Sequence, residues 1–376
     1  MKVEKHINEI FDRHFPKELV TENDDTFIQP DLSKVLYQCI SPTEEKTPEQ
    51  YFINHSQYYA NIVCSTYPII NNAKFGKPIA DATMMMVFKD LVIMTMADGC
   101  GMGQRPATSA KCACEAFTEF IVDKIKKEKT IGGILRMMNR AMAYSQQAIL
   151  ETAQDGADAG MTTFQAIVVV RPDPVMYAVC YVNVGDCRGI IVSDGNHKIS
   201  ELVKNYAIRS DVKSTGGRLG PCDADLPDLG NYTIGIQYCT KGTSIILMTD
   251  GVCDNFDQSL FIENPEELGL KGKEWSDEDQ THIQKRKQIF YDDFGVLYLE
   301  PSVLSLCMNV YDFIIERTQE QRTIKANSDG KKVSKDEKYH GKMDHSTLAI
   351  CILNDALFEE DKVEELELEI PNDMKV

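Results

Sequence analysis

The chain has 376 residues, 43% hydrophobic and 26% charged, enough to bury one large core or two modest ones. A formal charge of −18 argues against the basic surface that nucleic acid or an anionic bilayer needs, so neither is expected as a partner. No apolar run reaches the ~18 residues of a membrane span. The N-terminal MKVEKHINEIFDRHF has no signal-peptide core, so the expected location is cytoplasmic, with the nucleus left open.

Residues 7–15 have the spacing of an amphipathic helix, and Ser41 to Glu44 reads as a loop. Residues 84–88 and 91–96 are apolar runs joined by Lys89-Asp90, which predicts two buried strands and a tight turn. A glycine-rich loop follows Asp98 and leads to a helix over 111–127, capped by Thr108 or Ser109, with lysines at its C-terminal end. A second helix is predicted over 134–152, ended by Gln154-Asp155-Gly156. Strands are predicted over 164–170, 175–184 and 189–192, with turns at Arg171-Pro172-Asp173-Pro174 and Asp194-Gly195-Asn196. Another strand covers 243–249. Residues 263–293 read as a charged, solvated insertion, 301–321 as a helix and 325–342 as a flexible polar loop. A last strand covers 347–353, and the acidic tail from Glu359 is expected to fray. This order lacks the regular alternation of a doubly wound sheet and fits antiparallel sheets with helices outside.

Twelve cysteines do not make a disulfide scaffold in so long a chain. Cys64, Cys180, Cys239, Cys307 and Cys351 lie in apolar runs and read as small buried hydrophobes. Cys112-Ala113-Cys114 lacks the spacing of a zinc site. There is no Cys-(five residues)-Arg phosphatase loop and no Walker A sequence.

Aspartates carry the strongest signal. Asp98, Asp186 and Asp250 each close an apolar run, Asp344 precedes one, and Asp81 precedes the run that leads to Asp98. A carboxylate at the mouth of a buried strand is costly unless a cation meets it, and all-oxygen clusters suit hard divalent ions. Gly99 and Gly251 lack the Cβ that would keep a backbone carbonyl from such an ion.

These residues fall into ordered motifs: Asp81, Ala97-Asp98-Gly99, Gly160-Met161-Thr162, NVGDCR (183–188), TDGVCDN (249–255) and DHST (344–347). Together they resemble the protein phosphatase 2C family of metal-dependent serine/threonine phosphatases over about residues 76–353. The resemblance implies an α+β fold, a four-layer α-β-β-α sandwich of two antiparallel sheets flanked by helices. It implies an N-terminal extension (1–70) packed on a catalytic domain (71–356), with insertions at about 263–293 and 325–342, then an acidic tail (357–376). The implied cofactors are two Mn2+ or Mg2+ ions, with a possible third. The implied reaction is direct attack of a hydroxide bridging them on phosphoserine or phosphothreonine of a phosphoprotein.

Residue by residue, Asp98 would bridge the metals with the Gly99 carbonyl on one of them, and Asp250 and Asp344 would complete the other. Asp81 would stand in the outer shell, and Asp186 with Asp250 would hold the third ion. Asp254 and His345 would orient the site. Read from the residues alone, His345 is instead a neutral ring bonded to backbone and Arg188 anchors a strand end. The chain also departs from the family. Cys100 replaces the histidine that many members use as proton donor, Ala80 replaces an acid, and the GGRLGP stretch (216–221) lacks an Asp. Lys77 stands one position from the usual phosphate-gripping arginine, with Arg105 as a spare. These departures leave a second reading open, an inactive scaffold of the same fold.

Overall fold

The computed structural model describes residues 2–41, 51–70, 73–193, 198–203, 215–257, 261–262, 264–271, 280–298, 302–327, 341–359, 363–368, 370–371 and 374. With strands numbered along the chain, one sheet runs in the order β1 (Tyr37–Ser41), β6 (Asp81–Phe88), β7 (Leu91–Asp98), β8 (Phe164–Val170), β9 (Met176–Val184), β14 (Thr233–Thr240). The other runs β11 (Ile199–Glu201), β10 (Arg188–Val192), β15 (Ser244–Met248), β16 (His345–Ile352), β3 (Tyr59–Ser65), β2 (Tyr51–His55), β17 (Glu364–Leu368). Neighbouring strands in both are antiparallel. Two small ribbons, β4 (Ile69–Ile70) with β5 (Ala73–Lys74) and β12 (Arg218–Asp223) with β13 (Leu226–Asp228), lie outside them.

Helices cover both outer faces. On the first sheet α3 (Gln104–Lys124) lies against β6 and β7 and α4 (Ile131–Leu150) against β9, while α1 (Lys2–His14) and α2 (Glu18–Glu22) pack on α4. On the second, α7 (Val303–Arg317) lies across β2, β3 and β16. It is flanked by α6 (Gln280–Leu297) and α8 (Gln319–Asn327), and the short α5 (Asp250–Cys253) follows β15. The expected four-layer α-β-β-α sandwich is therefore present.

Strand alternation explains why these runs are apolar throughout. Along β7, Leu91 and Ile93 join the core beneath α3 and α4, whereas Val92 and Met94 join the core between the sheets. Along β15, Ile245 and Leu247 face that same middle core, and Ile246 and Met248 face the core beneath α6 and α7. Both faces are dry, so period 2 shows as a continuous hydrophobic run. Each such side chain contributes about 1.5–3 kcal/mol by burial.

Several expectations need correction. Residues 1–70 do not merely pack on the outside: they supply strands to both sheets, β1 pairing with β6 at one edge and β3 lying between β16 and β2. Helix α3 begins at Gln104, so Thr108 and Ser109 lie within it. Gly103, at φ 102°, turns the chain there, and Pro106 sits in the first turn, where its missing N–H costs nothing. Helix α4 starts at Ile131, where the Thr130 hydroxyl accepts the Gly133 N–H at 3.1 Å. The insertion at 263–293 contains most of α6, whose Phe290 and Phe294 seat on Phe256. The helix expected over 301–321 is two helices, α7 and α8. The tail does not simply fray: β17 pairs with β2, with Leu368 buried. The turn at 194–196, residues 42–44 of the predicted loop and residues 328–340 of the other lie outside the described residues.

Candidate metal centre

One edge of the sandwich gathers the aspartates. Asp81 opens β6 and Asp98 closes β7 as direct cross-strand partners. Asp186 stands in the β9–β10 turn, Asp250 is the first residue of α5, and Asp344 immediately precedes β16. Carboxylate oxygens of Asp98, Asp186 and Asp250 all lie within 4.8 Å of one another, close enough to share a cation. Behind them, Asp81 is 1% exposed. Its Oδ2 accepts the hydroxyls of Thr249 (2.8 Å) and Thr347 (2.9 Å), while its Oδ1 is buried with no hydrogen-bond partner. A buried carboxylate oxygen left unpaired is costly, and a divalent ion or the water it carries would satisfy it. The donor set fits Mn2+ or Mg2+, which take oxygen ligands.

Asp344 is arranged differently. Its Oδ1 accepts its neighbour His345 N–H at 2.9 Å, and its Oδ2 lies 3.1 Å from the Lys342 ammonium. Lys342 also reaches Asp250 at 2.5 Å and Asp254 at 3.1 Å. Asp250 thus belongs both to the three-carboxylate cluster and to a lysine-centred one. Sequence reasoning missed Lys342 because a lysine in a polar run reads as solvated.

Crowded carboxylates raise one another's pKa. Burial, then Asp344, pushes Asp81 up to about 8, against the two threonine hydrogen bonds. Burial and Asp250 hold Asp98 well above the carboxylate range, and burial lifts Asp344 to about 6 despite Lys342. Burial alone would lower Lys342, but Asp250, Asp254 and Asp344 hold it well above its usual value. In the metal-free fold Asp81 keeps its proton to about pH 8, whereas an unfolded Asp loses it near ~3.9. Unfolding then releases protons, so stability falls as pH rises between those values. Burial drops His345 to about 4, which acts oppositely up to its ordinary value of 6.5. The clean window is therefore above that. In chelator, the melting temperature is expected to fall by several degrees from about pH 6.5 to 8, and Mn2+ to remove the slope. A flat chelated profile would contradict this electrostatic picture.

The glycines differ in role. A Cβ on Gly99 would lie 2.6 Å from the Pro106 carbonyl oxygen and 2.8 Å from that of Ala80, so only glycine lets the chain pass Asp98 here. Gly251 is needed for packing rather than for presenting a carbonyl ligand: its oxygen accepts the Asn255 amide at 2.8 Å. His345 fits its expected part, its Nδ1 accepting the Ala80 N–H at 3.2 Å. Arg188 pairs with Glu201 and stacks on Phe290, a strand-end anchor as expected.

The Cys100 thiol is pushed up to about 12, by burial first and then Asp186, which keeps it protonated near neutrality and makes it a weaker general acid than a free thiol. Lys77 is exposed between β5 and β6, and the exposed Arg105 lies 3.8 Å from Asp158. Arg218 was not singled out from sequence. Backbone bridges link Gly99 to Thr162 and Thr162 to Leu219, which brings Arg218 to the rim of the cluster. Its charge opposes the rise at Cys100, and its Nε is buried with no hydrogen-bond partner. The only sequence signal was an arginine set between glycines.

Fold and site together are those of a two-sheet sandwich whose edge carries a carboxylate cluster that could hold a metal ion. Residues 71–268 match the protein phosphatase 2C family, and the chain belongs to that family. A PP2C-like domain-containing protein of Drosophila melanogaster is 28% identical over 216 residues, 55% of this chain but only 29% of that relative. Among solved structures, the Mycobacterium tuberculosis serine/threonine phosphatase PstP/Ppp is 13% identical, covering 80% of this chain and 99% of its own, with a TM-score of 0.44. The S. agalactiae serine/threonine phosphatase is 12% identical, covering 79% and 100%, with a TM-score of 0.46. No helix among the described residues is long and apolar enough to cross a membrane.

Proposed function

We propose that the protein is a Mn2+- or Mg2+-dependent phosphatase acting on phosphoserine or phosphothreonine in proteins. The observation that carries this reading is the convergence of Asp98, Asp186 and Asp250 beside the unpaired oxygen of Asp81, in a chain of the protein phosphatase 2C family. Bound divalent ions would supply Lewis-acid catalysis and an activated water. The chain's own part is to hold the metal through Asp98, Asp186 and Asp250, with the Gly99 carbonyl as a further ligand, while Asp344 is engaged by Lys342. Arg218 would grip the phosphate at the rim, and Cys100 would stay a protonated wall.

A second reading, an inactive scaffold, is favoured by Lys342, which already neutralises part of the cluster. Phosphate release from a phosphothreonine peptide after chelation and Mn2+ add-back separates the two. Restoration by Mn2+ supports the phosphatase, and calorimetry showing no Mn2+ binding at millimolar concentrations would sink it. For the grip, Arg218→Ala is expected to raise KM about tenfold, the loss of one charge-assisted contact. If Lys77 is the grip instead, Lys77→Ala carries that increase and Arg218→Ala does not.

A further inference from the structure

Lys342 stands out because its place is fixed from several sides. The Asn255 side chain clamps its backbone twice, Oδ1 accepting the Lys342 N–H at 2.9 Å and Nδ2 donating to the Lys342 carbonyl at 3.0 Å. Asn255 is fully buried and also bonds the Gly251 carbonyl, tying the lysine to α5. On one side, Gly341 passes so close to the Arg317 carbonyl that a Cβ would lie 2.2 Å from it. On the other, the Met343 N–H donates to Gln321 at 2.7 Å and the Asp344 N–H to Thr66 at 2.7 Å. From this fixed backbone the ammonium reaches Asp250, Asp254 and Asp344 at 2.5, 3.1 and 3.1 Å.

We infer that Lys342 is a built-in cation that takes the place of a second metal ion on the Asp250–Asp254–Asp344 side of the centre. This rests on reading the aspartates as a metal centre and deepens it. Three carboxylates around one position would attract a divalent ion, but an ammonium delivered by a tightly held chain is already there at high effective concentration. An ion competing for these oxygens must displace the lysine and leave its charge half-buried without partners, a costly exchange. Asp98, Asp186 and the remaining capacity of Asp250 then hold the ion that binds first.

Two measurements test this without substrate. Mn2+ titration calorimetry of the full chain is run on wild type, Lys342→Met and Lys342→Arg. Expected is one additional ion in Lys342→Met, or binding at least tenfold tighter on that side, with Lys342→Arg matching wild type. Coincident isotherms for wild type and Lys342→Met, whether both bind or neither does, overturn the inference. Should Lys342→Met fail to fold, amine acetylation of the wild type read by mass spectrometry decides. Lys342 is expected to label far more slowly than the exposed Lys5 both with and without Mn2+. Mn2+ raising Lys342 labelling to the level of Lys5 would show an ordinary metal displacing it, and would overturn the inference. Because neither readout depends on turnover, an inactive wild type counts against the phosphatase and leaves the ion count standing.

Discussion

Asp98→Asn is expected to abolish Mn2+-dependent turnover while making the metal-free protein more stable. The two signs share one cause. Burial and the charges of Asp250, Asp81, Asp344 and Asp186 all disfavour the Asp98 carboxylate, which accepts no hydrogen bond among the described residues. Its backbone carries the local structure instead, its carbonyl accepting the Thr163 N–H and the Thr162 hydroxyl, each at 2.8 Å. Asparagine keeps that backbone and removes a repelled charge, so melting in chelator should rise at pH 7.5 or above. The same change removes an anionic ligand where oxygens of three aspartates converge. Mn2+ affinity should fall by more than the ~100-fold that even outer-sphere partners cost. The sacrifice of stability at a working site is common in enzymes. Unchanged Mn2+ affinity in Asp98→Asn would remove Asp98 from the centre. A lower chelated melting temperature would make its carboxylate structural.

The strands and the aspartates were legible because both are written as local contrasts. The predicted strand 164–170 coincides with β8, and the tight turn at Lys89-Asp90 holds, with Asp90 at φ 64°. What escaped depends on partners far along the chain. Glu364–Leu368 is too acidic to suggest a strand, but pairing with β2 satisfies its backbone and Leu368 finds the second core. Alternation in so short a segment is a weak signal. Arg188 was assigned correctly, yet its partner Glu201 and the ring beneath it, Phe290, come from segments with no motif. Lys342 and Arg218 were overlooked for the same reason: sequence shows a cation's type, and only the fold shows which anions surround it.

Gly251→Ala should be the most damaging glycine-to-alanine change among the described residues, because its added Cβ would make the shortest approach, and to backbone. A Cβ there would lie 1.8 Å from the His345 carbonyl oxygen, 2.8 Å from that residue's carbonyl carbon and 2.7 Å from the Ser346 hydroxyl. Neither α5 nor the start of β16 can yield by changing a rotamer. Separating them breaks the Thr249 N–H bond to the Thr347 carbonyl (3.0 Å), and it strains the Asn255 link to Lys342. The cost should reach or exceed the top of the ~1–3 kcal/mol range for overpacking. Asp250 and Asp344 flank the contact, so Mn2+ binding should fail with it. Gly295→Ala is the matched control: that glycine lies within α6 with nothing inside 4 Å of the added Cβ, and alanine there should stabilise by up to ~1 kcal/mol. Opposite shifts in melting temperature would establish that Gly251 closes the joint between α5 and β16. A Gly251→Ala protein that melts and binds Mn2+ like the wild type would mean this joint does not hold the two aspartates in register.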